Sequence, residues 1–444
     1  MRNNTKFWLA LVIFSLIGQI AWVVENMYFN VFIYKMFNAS ANDISFMVAA
    51  SAVAATVTTI LIGAVSDRLQ KRRIFMCLGY ILWGISIIAF ALVRLDVISG
   101  LLGSAANAAA VAVTIVIILD CVMTFFGSSA NDAAYNAWLT DMTDETNRGK
   151  AEGINSMMPL VAILAVFGGF MGFDLDKAES WTAIYLIIGG AVLVIGVLGF
   201  FIVEEPKVKK PDELGIFGTI LYGFRPKVVK ENAKLYLTLL GFIIFNISIQ
   251  IFMPYLIIYY EKTLGMANYV LIFAPAIIAA AVVTALYGRV IDRRGFFGSV
   301  WQSLLMLCAG YVLIWLFPGV IKCEGIAMTI PVFIGTMLML SGFLTGMAVF
   351  GAKIRNDTPE HMAGRFQGLR IIAQVLVPGV VGPAIGAAVL KNAPTITNSD
   401  GTTSFLPSNT IFITALAAAA VLAAGLAVYI AVKKNSEFGI RNAE

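Results

Sequence analysis

The chain has 444 residues, 59% of them hydrophobic and only 13% charged, with a mean hydropathy of +0.86; soluble domains keep about 25% of residues charged, so a globule with a solvated shell is excluded. The formal charge is +5, there is one histidine, and the four cysteines (Cys77, Cys121, Cys308, Cys323) are scattered without a CxxC pair, which leaves no basis for a disulfide framework, a metal centre or a cofactor-dependent enzyme. The basic excess is divided among seven segments rather than gathered in one stripe, so no nucleic-acid partner is expected.

A hydrocarbon core about 30 Å thick takes roughly 20 apolar residues in helical form. Twelve stretches qualify: 7–34, 44–65, 74–93, 108–139, 151–173, 181–203, 235–260, 267–288, 298–317, 326–350, 369–390 and 409–432. The first is far longer than the apolar region of a signal peptide and is read as a retained helix. One long polar run, 204–234, divides the spans six and six. The expected organisation is an amino-terminal bundle at 1–203, a cytoplasmic linker at 204–234 and a carboxy-terminal bundle at 235–444. With both termini placed in the cytoplasm, 25 of the 31 Lys and Arg residues lie on that side, and only Lys35, Arg94, Lys177, Lys262, Lys322 and Lys391 fall outside. This is a strong positive-inside asymmetry. The fold class that follows is an all-α membrane protein of twelve transmembrane helices in two pseudo-symmetric six-helix bundles.

Apart from Glu152 and Arg370, each the second residue of its span at the cytoplasmic end, three of the 26 carboxylates fall inside spans, namely Glu25, Asp120 and Asp132, and no Lys or Arg does. A charge at mid-bilayer costs at least about 2.5 kcal/mol, so each of these groups must be protonated, ion-bound or engaged by ligand. In span one, Trp22, Glu25, Asn26 and Phe29 share a helical face that Gln19 and Asn30 extend. An indole beside amides and a carboxylate suits a polyhydroxylated ligand; interhelical hydrogen bonding is the alternative role for the amides. Span four carries Asp120, Thr124, Ser128, Asn131 and Tyr135 at steps of four, four, three and four, with Asp132 one residue round from that stripe. Asp132 with Glu25 is the expected central pair, and Asp120 a secondary coupling site or a hydrogen-bonding group. In the second half, Asn246 and Gln250 lie one turn apart on span seven, with Tyr255 and Tyr259 beyond them. Gln374 on span eleven is a further substrate-binding candidate.

The two halves repeat each other. GxxxDR occurs at 63–68 after span two and at 288–293 after span eight, and T-x-E-(x3)-G-K/R-(x2)-G occurs at 143–153 and 358–368. Asp67, Arg68, Asp292 and Arg293 are expected to gate the cytoplasmic side through charge networks, or else to anchor topology alone. Six-helix repeats with matching loops mark a transporter that rocks two bundles around a central site.

The loop that follows span two resembles the signature loop of the major facilitator superfamily, and the likeness extends over the whole chain. Within it, the stretch from Asn131 and Asp132 through Tyr135 and Asp141, followed by Arg148, is similar to the fourth-helix motif of the glycoside–pentoside–hexuronide:cation symporters and the sucrose carriers. The proline of that motif is Ala134 here and its arginine falls at Asn136. The resemblance implies a secondary transporter that moves a small polar solute, a sugar or glycoside, by cation symport. Span two has no acidic ligand between Ile44 and Ser66, which favours a proton over sodium as the coupling cation. A proton-coupled exporter of amphipathic compounds on the same fold is the alternative. Short loops and the absence of a cleaved leader point to the bacterial inner membrane.

Overall fold

The computed structural model describes residues 5–441, apart from 70, 103–106, 145–146, 207–221, 360–362, 399–400. Most of the expected linker therefore lies outside the described residues. Among the described residues, twelve helices are long and apolar enough to cross a membrane: α1 (Thr5–Phe37), α2 (Ala41–Ser66), α3 (Arg73–Leu92), α4 (Ala108–Met142), α5 (Arg148–Phe170), α6 (Ala178–Ile202), α7 (Ala233–Thr263), α8 (Val270–Gly288), α9 (Arg293–Leu316), α10 (Ile326–Asp357), α11 (Gly368–Asn392) and α12 (Thr410–Val432). The chain is thus an integral, multi-pass membrane protein. In hydrocarbon only a helix or a closed barrel satisfies every backbone N–H and C=O internally. Large apolar side chains such as Phe46, Leu78, Phe201 and Leu305 face outward, as lipid contact requires. Gly295, with φ 65, turns the chain between α8 and α9 in a conformation that side chains with a Cβ resist.

Among the described residues, four helices widen locally into π-helical turns, at Val24–Tyr28 in α1, Ser128–Tyr135 in α4, Tyr259–Thr263 in α7 and Ile372–Leu376 in α11. Such turns insert a residue into the helical ladder and concentrate at functional sites. Three of the four carry residues that the sequence singles out for substrate or ion binding.

The chain divides into two compact units, Met1–Gly223 with Pro394–Leu406, and Phe224–Ala393 with Pro407–Glu444. In the first unit α1 packs on α5 and α6, α2 and α3 pack on α4, and α3 runs against α6. Glycines set the α3–α6 spacing. A Cβ on Gly84 would stand 2.6 Å from the Gly189 carbonyl oxygen, and one on Gly196 would stand 2.7 Å from the Ile81 nitrogen. Backbone-to-backbone contact of this kind maximises dispersion where lipid removes the hydrophobic drive for helix association. In the second unit the same device joins α9 to α10, where a Cβ on Gly310 would lie 2.7 Å from the Gly335 carbonyl oxygen.

A short antiparallel hairpin, β1 (Thr395–Thr397) and β2 (Thr403–Phe405), lies in the α11–α12 connection. It groups with the first unit and sits on the α1–α2 turn: the Tyr34 hydroxyl donates to the Phe405 carbonyl at 2.7 Å, and the Asn38 amide donates to Thr402 Oγ1 at 2.9 Å.

The glycine seam yields a prediction. Gly84→Leu forces the α3 and α6 backbones apart and is expected to cost about 1–3 kcal/mol, seen as a lower melting temperature in detergent. Gly190→Leu, at a position with nothing within 4 Å of a Cβ, is expected to leave melting unchanged; equal losses in the two variants would contradict the seam.

Candidate functional site

The three intramembrane carboxyl groups all belong to the first unit. Glu25 lies in the π-helical turn of α1 and is only 7% exposed. Its Oε1 lies within hydrogen-bonding distance of two hydroxyls, 2.6 Å from Ser51 Oγ of α2 and 2.7 Å from Thr124 Oγ1 of α4, and the two hydroxyls are 2.9 Å apart. Three helices therefore meet at one carboxyl oxygen. Asp120, one helical turn from Thr124, is 2% exposed. Neither Glu25 Oε2 nor Asp120 Oδ1 has a hydrogen-bond partner among the described residues.

Asp132 is half-buried and lies in the π-helical turn of α4. Its Oδ2 accepts from Ser128 Oγ at 2.9 Å. The adjacent Asn131 points elsewhere. Its amide donates to the Tyr80 hydroxyl at 2.7 Å, that hydroxyl donates to the Phe14 carbonyl at 2.7 Å, and Asn131 Oδ1 accepts from Trp22 Nε1 at 3.2 Å. The Trp22 ring lies against Trp83 at 5.0 Å, and Tyr80 meets Trp83 edge-on. Gly18 and Gly127 make room for this aromatic and amide layer, since a Cβ on Gly127 would stand 2.7 Å from the Trp83 ring. Trp22 is half-buried, and Asn26 is exposed, its amide folded back on the Trp22 carbonyl at 2.7 Å. Trp22, Asn26 and Asp132 thus keep surface open beside the buried Glu25.

Tyr135 is buried, and its hydroxyl donates to Asn155 Oδ1 at 2.9 Å, which also accepts from Ser15 at 2.6 Å. Tyr135 accordingly ties α4 to α1 and α5. Phe29 is buried against Phe90 and Tyr185. In the second unit, Asn246 is 6% exposed, with its amide on the Phe242 carbonyl at 2.8 Å. Gln250 and Gln374 are half-buried, the latter within the π-helical turn of α11.

Of the gating candidates, Arg68 and Arg293 are exposed, while the side chains of Asp67 and Asp292 lie outside the described residues. The charge network that the described residues form here is centred on Arg72, which the sequence reading did not select. Arg72 is 4% exposed. It pairs with Asp141 at 2.9 Å and donates to Ser66 Oγ at 2.7 Å, while Glu205 accepts from the backbone N–H groups of Arg72 and Arg73 at the start of α3. The carboxylate sits where the helix dipole and free N–H groups favour negative charge. Asp141 closes the fourth-span motif and Glu205 follows directly on α6, so their positions at helix ends were a usable signal. Ser51 and Asn155 gave none, being small polar residues in apolar or mixed surroundings.

The sequence profile of the Major Facilitator Superfamily matches residues 7–383. No curated protein sequence gives a significant match. Among solved structures, the chain resembles a D-xylose-proton symporter (TM-score 0.71, 15% identity, covering 94% of this chain and 97% of that one) and the nucleoside transporter NupG (TM-score 0.69, 12% identity, 96% and 99%). It also resembles a bacterial homolog of the human lysosomal transporter Spinster in an inward-facing, unoccupied conformation (TM-score 0.68, 15% identity, 96% and 97%). At these identities the likeness is one of fold.

The Arg72 network can be tested directly. Arg72→Met leaves the Asp141 charge uncompensated in a partly buried site and is expected to lower stability by about 3 kcal/mol. Arg68→Met, at an exposed position, is expected to stay within about 0.5 kcal/mol of the parent. Thermal unfolding of the two variants in the same detergent decides, and equal stability would remove the network from the account.

Proposed function

The chain belongs to the Major Facilitator Superfamily, and on that premise we propose that it is a proton-coupled symporter of a small polyhydroxylated solute, a sugar or glycoside. The observation that carries this reading is a count of hydrogens at Glu25. With the carboxyl ionised, Ser51 and Thr124 both point at Oε1, and their own 2.9 Å contact holds no hydrogen. With the carboxyl protonated, three hydrogens fill the three oxygen–oxygen contacts, running one way round the ring. The geometry therefore favours the neutral acid, and a site that accepts a proton without a basic partner is what proton coupling requires.

The solute is drawn from the open surface next to that ring. The Trp22 indole can cover sugar C–H groups, while Asn26 and Asp132 accept and donate hydroxyl hydrogen bonds. Asn131 positions the indole. Asn246, Gln250 and Gln374 offer amides of the same kind from the second unit. Asp132 is also the residue that matches the glycoside–pentoside–hexuronide and sucrose-carrier motif. Carriers named for xylose and nucleosides, both polyhydroxylated, share the fold. Asp120 serves as a secondary proton site. In this reading the halves 1–203 and 235–444, joined by 204–234, rock between two access states. The GxxxDR loops, with Asp67, Arg68, Asp292 and Arg293, latch the cytoplasmic side, and the membrane is the bacterial inner membrane with both termini inside.

A thermal-shift screen of the purified protein against mono- and disaccharides, glycosides and nucleosides identifies the solute. Proteoliposome uptake and counterflow, with and without an imposed pH gradient, then test the mechanism. Glu25→Gln is expected to abolish accumulation against a gradient while counterflow persists. Asp132→Asn is expected to weaken solute binding about tenfold or more, because an amide keeps one uncharged acceptor oxygen where a carboxylate offers two charged ones. Gradient-driven accumulation at the parent level in both variants would overturn the coupling assignment. Outward, proton-driven movement of amphipathic compounds would replace symport with export.

A further inference from the structure

We propose that Asn30 and Asn136 are positioning residues, each clamping the π-helical turn that presents an intramembrane carboxyl group, Glu25 in α1 and Asp132 in α4.

The clearer case is α4. In an α-helix the Asn136 N–H would donate to the Asp132 carbonyl, four residues back. Here the widened turn sends it to the Asn131 and Ala133 carbonyls, five and three residues back. The Asp132 carbonyl takes the side chain instead, with Asn136 Nδ2 donating to it at 3.1 Å. In hydrocarbon no water is at hand for a carbonyl that loses its backbone donor, and a polar side chain is one of the few substitutes. Asp132 is therefore held from both directions along its helix. Ser128, one turn before, donates to its carboxyl at 2.9 Å, and Asn136, one turn after, donates to its backbone.

The turn in α1 repeats the arrangement. The Phe29 N–H passes over the Glu25 carbonyl, four residues back, and reaches Val24. Next to the carbonyl thus bypassed, the Asn26 carbonyl accepts from Asn30 Nδ2 at 3.1 Å. Asn26 makes the same kind of bond one turn earlier, to the Trp22 carbonyl at 2.7 Å, so two amides run along the edge of the turn that holds Glu25. Asn30 is 1% exposed, and its Oδ1 has no hydrogen-bond partner among the described residues. An aliphatic side chain would avoid that penalty, and burial keeps the amide from direct contact with solute. What the amide alone supplies is the bond to the turn.

These bonds matter because each carboxyl works only where it points. Glu25 meets hydroxyls of two other helices at 2.6 and 2.7 Å, and a functional group of this kind has to be held within about 0.5 Å by the residues behind it. The proposal rests on the roles given above to Glu25 and Asp132, but its test uses neither solute nor gradient.

A hydrophobic carbodiimide, which reacts with protonated carboxyl groups inside membranes, is applied to the protein in proteoliposomes at mildly acidic pH. Mass spectrometry of the digested protein then gives the rate of modification at each carboxyl. Asn136→Ala is expected to raise the rate at Asp132 about threefold or more and to leave Glu25 unchanged. Asn30→Ala is expected to do the reverse. Serine is nearly as small as alanine but can donate to the carbonyl four residues back, as Ser129 does to Phe125 at 2.6 Å. Asn136→Ser and Asn30→Ser are therefore expected to restore the parent rates. Rates unchanged in both alanine variants, or raised alike at both carboxyls and not restored by serine, would overturn the clamps. Either result would leave the proton-symport reading standing, because that reading is tested at the carboxyls themselves.

Discussion

A carboxyl group inside an apolar bundle has to find donors, and helices that carry them have to come close enough to deliver them. Glu25 takes its donors from Ser51 and Thr124, side chains too short to reach across a loose bundle. α1, α2 and α4 are therefore drawn to a common point. Gly18 and Gly127 clear space around it for Asn131, Tyr80, Trp22 and Trp83, and the α3–α6 glycine seam draws the neighbouring pair together. Much of the first unit's packing can be read outward from that one carboxyl. Dispersion alone would be content with many helix spacings, whereas a hydrogen-bonded ring with contacts of 2.6–2.9 Å admits few.

Much of this was legible in the sequence because it depends on composition and period. Twelve apolar runs and the three in-span carboxylates need only counting, and the observed helices match the expected spans. What escaped was whatever departs from a uniform 3.6-residue helix. The stripe Asp120, Thr124, Ser128, Asn131 and Tyr135 was drawn on an ideal helix, but the π-helical turn at Ser128–Tyr135 widens it. Asn131 consequently faces Tyr80 and Trp22, Asp132 faces Ser128, and Tyr135 faces Asn155. The single face expected for Trp22, Glu25, Asn26 and Phe29 separates for the same reason, with Glu25 and Phe29 buried and Asn26 exposed. Ser51 was invisible because a serine among alanines and valines is unremarkable until a carboxyl is set opposite it.

The polar ends of the first unit follow a different logic. At the α2–α3 turn, Arg68 and Arg72 are four residues apart in one basic run, yet the first is exposed and the second nearly fully buried. The difference lies in the partners. Asp141 and Ser66 surround Arg72, and its planar, multiply donating guanidinium satisfies both at once. A positive-inside count treats both arginines alike, since topology depends on charge, whereas packing depends on geometry. At the α1–α2 turn the link to the hairpin is made by neutral amides and hydroxyls. Contacts of this kind are weak enough to exchange with water, while a buried ion pair is costly to break.

The π-helical turns bear on how a proton could be felt beyond its binding site. In the ordinary α-helix every carbonyl is committed to the residue four along, and a side chain can move only by changing rotamer. In the widened turn of α1 the Phe29 N–H instead reaches the Val24 carbonyl, five residues back, so Glu25 stands in a turn held by a wider ladder than that of the α-helix. The ring around Glu25 has two arrangements. With a proton, Ser51 and Thr124 are joined to each other through a hydrogen. Without one, both turn to the carboxylate and their mutual contact becomes oxygen against oxygen. Ser51 belongs to α2 and Thr124 to α4, so under the proposed proton coupling release would convert an attraction between those helices into a repulsion at the same point. A site with two discrete hydrogen-bond arrangements is the kind of bistable element through which a small local event is amplified. Under the proposed symport, solute bound beside Trp22 and Asp132 would bias the same element from its open side.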